Sequence, residues 1–301
     1  MTETQVPTTI PWQRFNAAFV TRHSMHDEKI HDLYRMNLRI LNQIPYPAIC
    51  VQNPPALDYL VHCVDAYKDK YDWIINVDDD AFLCNFQALY DLMVYMEENQ
   101  YDICGMADGL TYTPRDVFNP TSMNPFFNVI QLKTLKPKLP NGVHDMLAQY
   151  SPGLLKHVDL SIYHPEMWGK TAEQMQGNEY PIGYEPYYYF FYAILPKAKL
   201  LWLYGRSYNF DENVPRHEVI IPDEPRRSQK WYQHKKGILY DDDPWTTVLY
   251  SYDKTTPFIL HTWYARNYGG THDPTMPIIN NVKRIDRVYE KACEMLDMPS
   301  R

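Results

Sequence analysis

The sequence predicts a single α/β domain with a mostly parallel central sheet flanked by helices, Rossmann-like, and a loop-rich C-terminal part. Three observations carry this reading. Between Phe15 and Val77 short apolar runs alternate with segments of helical spacing, in the order β-α-β-α-β. The composition is that of a globular chain, 45% hydrophobic and 22% charged, so a sizeable core is expected. No repeat, low-complexity tract or sharp linker divides the 301 residues.

The elements follow from local pattern. "FNAAFV", Phe15 to Val20, reads as a first strand ending at "TRHS". Asp27 to Leu41 places Ile30, Leu33, Tyr34, Leu38 and Leu41 at helical spacing. "PAICV", Pro47 to Val51, is a second strand, and a second helix runs from about Ala56 to Tyr67. "WIINV", Trp73 to Val77, is a third strand, and Phe86 to Met96 returns to the helical pattern. "DICGMA", Asp102 to Ala107, and "FFNVIQL", Phe126 to Leu132, read as further strands. Glu185 to Leu195 fits a helix, Lys199 to Gly205 a strand, and residues 211–247 a charged, proline-containing loop region. "PFILHTWYARNYGG", Pro257 to Gly270, is a strand feeding a polar aromatic segment, and Ile279 to Leu296 a C-terminal helix.

Bulk properties narrow the function classes. A net charge of −8 argues against a protein that coats nucleic acid over its whole surface. Cys50, Cys63, Cys84, Cys104 and Cys293 form no CxxC, and three sit in apolar runs, so they read as reduced core residues. No N-terminal stretch has the apolar core of a signal peptide. Pro196, Lys197 and Lys199 interrupt the most apolar segment, Pro186 to Gly205, so no transmembrane segment is expected. No Asn-x-Ser/Thr sequon occurs. A cytoplasmic location follows as the expectation.

The chemistry concentrates where the third strand runs into Asp78, Asp79 and Asp80. Like charges this close repel, so each needs water or a cation. In open α/β sheets ligands bind beyond the carboxyl ends of the strands. With strand alternation Asp78 and Asp80 would point to one side and share an ion. Mg²⁺ or Mn²⁺ takes oxygen ligands, commonly a carboxylate or two plus substrate phosphate oxygens. The plainer reading is an aspartate cap on the helix that follows. A second triple, Asp241 to Asp243, sits before a proline in the charged region and reads as a solvated turn.

A hydrophobic strand running into Asp-x-Asp after a βαβαβ opening resembles the nucleotide-sugar-dependent glycosyltransferases of the GT-A fold. The likeness covers the layout of about Phe15 to Tyr268 and is strengthened by His261, which ends a late strand in "FILHTWYARNYGG". It implies a nucleotide-sugar-binding half at 15–110, an acceptor-binding half with metal-site closure at 111–270, and a C-terminal helix at 271–301. By the same resemblance Asp80 is the principal metal ligand, Asp78 a metal or ribose contact, and His261 a further ligand. On its own, His261 reads more often as a hydrogen-bonded core histidine; its place after a strand, with Arg266 nearby, makes ligation an equal reading.

The implied reaction moves a hexosyl or pentosyl group from a nucleotide-diphosphate sugar, a UDP-sugar first, to a hydroxyl acceptor with Mn²⁺ or Mg²⁺. Thr21, Arg22 and His23 would meet the nucleotide, with Asp79 beside it, and Arg266 would add a bidentate phosphate contact. Glu185 is the candidate general base, although no clear Glu-Asp pair stands where many inverting members carry theirs. Asn124 and Asn128 are candidate sugar contacts by hydrogen bonding, and Tyr184, Tyr187 and Trp263 by stacking; core packing is the alternative for each ring. Arg226, Arg227 and Lys230, with Trp231 and Tyr232, form a basic aromatic segment in an acidic chain. It is either a solvated loop or a site for an anionic acceptor, which includes hydroxymethylated DNA as in phage-type enzymes. Two other classes stay open. A nucleotidyltransferase of similar fold would ordinarily show a glycine-rich loop after the first strand, and "TRHSMHDE" has none. A non-catalytic carbohydrate- or nucleic-acid-binding protein would use the aspartates only as a turn. The oligomeric state is not legible.

Overall fold

A computed structural model describes residues 10–23, 28–52, 59–108, 119–139, 190–191, 194, 197–207, 246–262 and 281–300. The predicted β-α-β-α-β opening is present. It comprises β1 (Ala17–His23), α1 (Glu28–Leu41), β2 (Ala48–Gln52), α2 (Tyr59–Tyr67) and β3 (Trp73–Val77). Every residue of β3 is buried, which is why its sequence is an apolar run rather than an alternation. Short β4 (Ala81–Leu83) comes next, then α3 (Phe86–Glu98), β5 (Ile103–Asp108), β6 (Asn119–Gln131) and the single turn α4 (Leu132–Leu135). The chain continues through β7 (Leu200–Trp202), β8 (Gly205–Ser207), β9 (Thr246–Tyr250), β10 (Pro257–Thr262) and α5 (Asn281–Met295).

The main sheet has the order β2-β1-β3-β6-β5-β7. β1 runs parallel to β2 and β3, and β5 parallel to β7. β6 alone is reversed, antiparallel to β3 on one side and β5 on the other. The sheet is therefore mostly parallel, as predicted, with one inverted strand near its middle.

Alternation along the strands divides the core into two faces. Phe19, Ile75, Val77, Phe127 and Val129 pack with Leu33 and Ile40 of α1, Leu89 and Met93 of α3, and Ile285 and Val288 of α5. Ala18, Val20, Ile74, Ile103 and Ile130 point the other way, onto Leu60 and Val64 of α2 with Phe190, Phe191 and Ile194. Burying each large side chain stabilises the fold by about 1.5–3 kcal/mol.

The second sheet, β4-β10-β9-β8, is antiparallel and was not anticipated. Four local expectations change with it. The aspartates do not lead straight into a helix: β4 intervenes, and α3 is capped by Asn85, whose Oδ1 accepts from Ala88 N at 3.0 Å. β6 begins at Asn119, before the apolar run at Phe126. Lys199 to Gly205 is not one strand, because the chain leaves the main sheet after Trp202 and enters the second at Gly205. Thr246 to Tyr250 is a strand, its first residues lying in the predicted loop region. The expected helix over Glu185 to Leu195 lies outside the described residues except at 190, 191 and 194. No helix among the described residues is long and apolar enough to cross a membrane.

At Gly105 β5 approaches β6 too closely for a side chain. A Cβ there would lie 2.5 Å from Asn128 Nδ2 and 3.1 Å from the Phe127 carbonyl oxygen. Overpacking of this kind costs about 1–3 kcal/mol. Gly105→Ala is expected to lower the urea midpoint accordingly with an unchanged m-value; wild-type stability would contradict this packing.

Candidate active site at the rim of the main sheet

β3 ends at Val77, and the backbone then turns. Asp78 N donates to Phe126 O at 2.8 Å, holding the first aspartate against β6. Ala81 N donates to Asp78 O at 3.1 Å, closing a turn with Asp79 and Asp80 at its centre. The strand alternation expected to pair Asp78 with Asp80 therefore does not apply, because the three residues lie past the strand's end.

Each outer carboxylate meets a different cationic or titratable neighbour. Asp78 takes the fork of Arg22: Nε donates to Oδ1 at 2.9 Å and Nη2 donates to Oδ2. The side chains are 25% and 11% exposed, so the pair is largely enclosed. Burial works against the guanidinium charge; the Asp78 carboxylate outweighs it and raises the Arg22 pKa above its ordinary value. The guanidinium also lies 5.3 Å from the centroid of the Tyr59 ring. Asn37, in the apolar face of α1, donates from Nδ2 to Asp78 O at 2.5 Å. Behind it, Tyr59 donates its hydroxyl to Asn76 Oδ1 at 2.5 Å, and burial holds the phenol well above its ordinary pKa, hence neutral. Asn76 Nδ2 donates in turn to Pro125 O.

Asp80 meets a different strand. Its Oδ1 is buried, accepts no hydrogen bond among the described residues, and lies 3.4 Å from His261 Nε2. The contact exists because β4 pairs with β10, which sets Ala81 opposite His261. Thr262 fixes the Asp80 carbonyl twice, from its N at 2.9 Å and its Oγ1 at 3.2 Å. The His261 ring lies flat on Phe126, with centroids 4.0 Å apart and planes 4° off parallel. The imidazole plane is thus set by β6 and its position by β10.

The remaining sequence-predicted residues divide clearly. Thr21 is fully buried within β1, and Arg22 is turned to Asp78 rather than outward. His23 ends β1, its side chain outside the described residues. Asp79 is half-buried at the centre of the turn. Asn124 is buried, its Oδ1 accepting from Phe126 N at 3.1 Å. Asn128 is fully buried, and its Oδ1 lies 3.4 Å from Asn76 Nδ2. Tyr184, Glu185, Tyr187, Arg226, Arg227, Lys230, Trp263 and Arg266 lie outside the described residues. Asn37 and Asn76 were not singled out from sequence, though a signal existed: each is a polar residue inside an apolar pattern, Leu33–Asn37–Ile40 and "WIINV".

Among the described residues no three His, Cys, Asp or Glu side chains gather as a metal cluster. What these residues supply is a pair, Asp80 and His261. A buried carboxylate oxygen without a hydrogen-bond donor, beside an imidazole nitrogen, is a donor pair of the kind that divalent cations accept.

No family model and no curated protein matches this chain. It is similar to the crystal structure of a glycosyltransferase involved in the glycosylation of the major capsid of PBCV-1. The identity is 10% and the TM-score 0.30, over 51% of this chain and 78% of that one.

Removing one member of an enclosed ion pair leaves the other charge uncompensated. Arg22→Met is expected to cost about 3 kcal/mol in urea unfolding, toward the lower end for buried pairs because some solvent reaches this one. A loss below about 1 kcal/mol would mean that the pair behaves as a surface bridge.

Proposed function

We propose that this chain is a glycosyltransferase that moves a sugar from a nucleotide diphosphate to a hydroxyl acceptor with the help of a divalent cation. One observation carries the reading: the approach of His261 to Asp80 at the carboxyl end of β3. That is the rim where open α/β sheets bind their ligands. The sheet order, with one strand inverted beside β3, is compatible with the glycosyltransferase-like layout expected from the sequence.

In this reading Asp80 and His261 would hold Mn²⁺ or Mg²⁺ beside the donor's phosphates. The ion supplies Lewis-acid neutralisation of the charge that gathers on the departing diphosphate. The chain's own contribution is preorganisation: Phe126 sets the imidazole plane, and Thr262 holds the Asp80 backbone. Glu185 is the residue assigned to remove the acceptor proton, and Arg266 the one assigned to the phosphates. The donor is assigned as a UDP-sugar.

The test is thermal unfolding with Mn²⁺ and UDP, separately and together. A ligand present at about 100 times its Kd adds about 2.7 kcal/mol of stability. A rise in Tm is expected with the two together, absent in Asp80→Asn, whose unliganded Tm stays at wild type. The reading fails if no pairing of Mn²⁺ with UDP-, GDP- or CMP-sugars moves the wild-type transition.

A further inference from the structure

Every polar atom of Asp78 is engaged. Its amide is bonded to Phe126 O, its carbonyl accepts from Asn37 and Ala81, and both carboxylate oxygens accept from Arg22. A cation seeking Asp78 would have to displace a guanidinium held at two points and stacked near Tyr59. Asp80, two residues on, has a buried oxygen that accepts no hydrogen bond among the described residues. The chain treats its two outer carboxylates differently, engaging both oxygens of Asp78 and leaving Oδ1 of Asp80 without a hydrogen-bond donor among the described residues, beside His261.

We infer that Arg22 and Asp78 are positioning residues: their ion pair locks the Asp78–Ala81 turn and so aims Asp80 at His261, while Asp78 itself holds no metal ion. This rests on the reading of Asp80 and His261 as the cation site. Three strands and a helix converge on the lock, since Arg22 comes from β1, Phe126 from β6 and Asn37 from α1, while Asp78 follows β3. Loosening any one of these contacts frees the turn that carries Asp80. A partner that orients a ligand typically changes metal affinity 10–100-fold when removed.

The two possible roles of Asp78 predict opposite signs for one substitution. If Asp78 were a ligand, Arg22→Met would release a carboxylate and remove a competing cation, so Mn²⁺ would bind as tightly as before or more tightly. If Asp78 is a lock, Arg22→Met loosens the turn and Mn²⁺ binds more weakly. The experiment is Mn²⁺ titration of the full chain, followed by the EPR signal of the free ion well below the unfolding temperature. Wild type, Arg22→Met, Asp78→Asn and Leu135→Ala are compared. Leu135 is fully buried on the α2 face of the sheet, so its truncation loosens the core away from the turn.

The expected result is roughly tenfold weaker binding for both Arg22→Met and Asp78→Asn, with Leu135→Ala at wild-type affinity. Unchanged or tighter binding by Arg22→Met overturns the inference. So does an equal loss in Leu135→Ala, which would make the effect one of general stability. Should Arg22→Met not fold, Arg22→Lys keeps the charge but not the two-point fork and carries the same prediction at a few-fold.

If wild type binds no Mn²⁺ in the absence of nucleotide, the lock is read without metal. Amide exchange at Ala81 and Thr262, whose N–H groups close the turn and hold the Asp80 carbonyl, is then expected to speed at least tenfold in Arg22→Met relative to β2 amides. Equal protection in the two proteins would refute the lock.

Discussion

The seam between β4 and β10 is the constraint on which the site depends. β4 has three residues, all buried, and among the described residues pairs only with β10. Through that ladder Asp80 and Thr262, 182 positions apart in the chain, come into hydrogen-bond contact. Without it the turn after β3 would still form, but His261 would have no reason to stand beside Asp80. The burial of Phe82 between Leu260 and Tyr289 makes the pairing favourable: the Phe82 and Tyr289 rings meet edge to face at 5.5 Å, so α5 clamps the seam from outside. Such a contact contributes about 0.5–1.5 kcal/mol beyond the area it buries.

Electrostatics explains how three adjacent carboxylates are tolerated there. In a low-dielectric rim two like charges a few ångströms apart repel by several kcal/mol unless each is compensated. The fold turns the chain at these residues and gives the outer two different partners. Asp78 is neutralised from below by Arg22, Asp79 keeps partial access to solvent, and Asp80 is directed to His261. The polar groups beneath are matched in series, from Asn37 to the turn and from Tyr59 through Asn76 to β6. Asn37 Oδ1 has no hydrogen-bond partner among the described residues; the bonds that are made hold the turn in one arrangement, which a site for a charged ligand needs.

The opening half of the fold was legible because its elements are long and periodic. The apolar run of β3 and the spacing of Leu33, Tyr34, Leu38 and Leu41 in α1 leave little room for another reading. The second sheet was not legible, since β4 and β8 have three residues each and a period cannot be read over three positions. Asp80 and His261 were expected, through a family resemblance, to share a metal ion; the structure brings the two side chains to 3.4 Å of each other. The pairing of Asp78 with Arg22 was not foreseen. It depends on β1 lying next to β3 in the sheet, with Val20 opposite Asn76, and a register of that kind is a property of the tertiary fold. Asn128, read as a sugar contact, turned out to be a core amide because β6 is buried on both sides at that point.

The central claim is that Asp80 and His261 form one ligand site. Pulsed EPR of the Mn²⁺-loaded protein tests it directly, because an imidazole nitrogen bound to Mn²⁺ modulates the electron spin echo. The account predicts ¹⁴N modulation in wild type that disappears in His261→Gln while the protein still folds. Modulation that persists in that variant, or a wild-type signal with oxygen ligands alone, would contradict it.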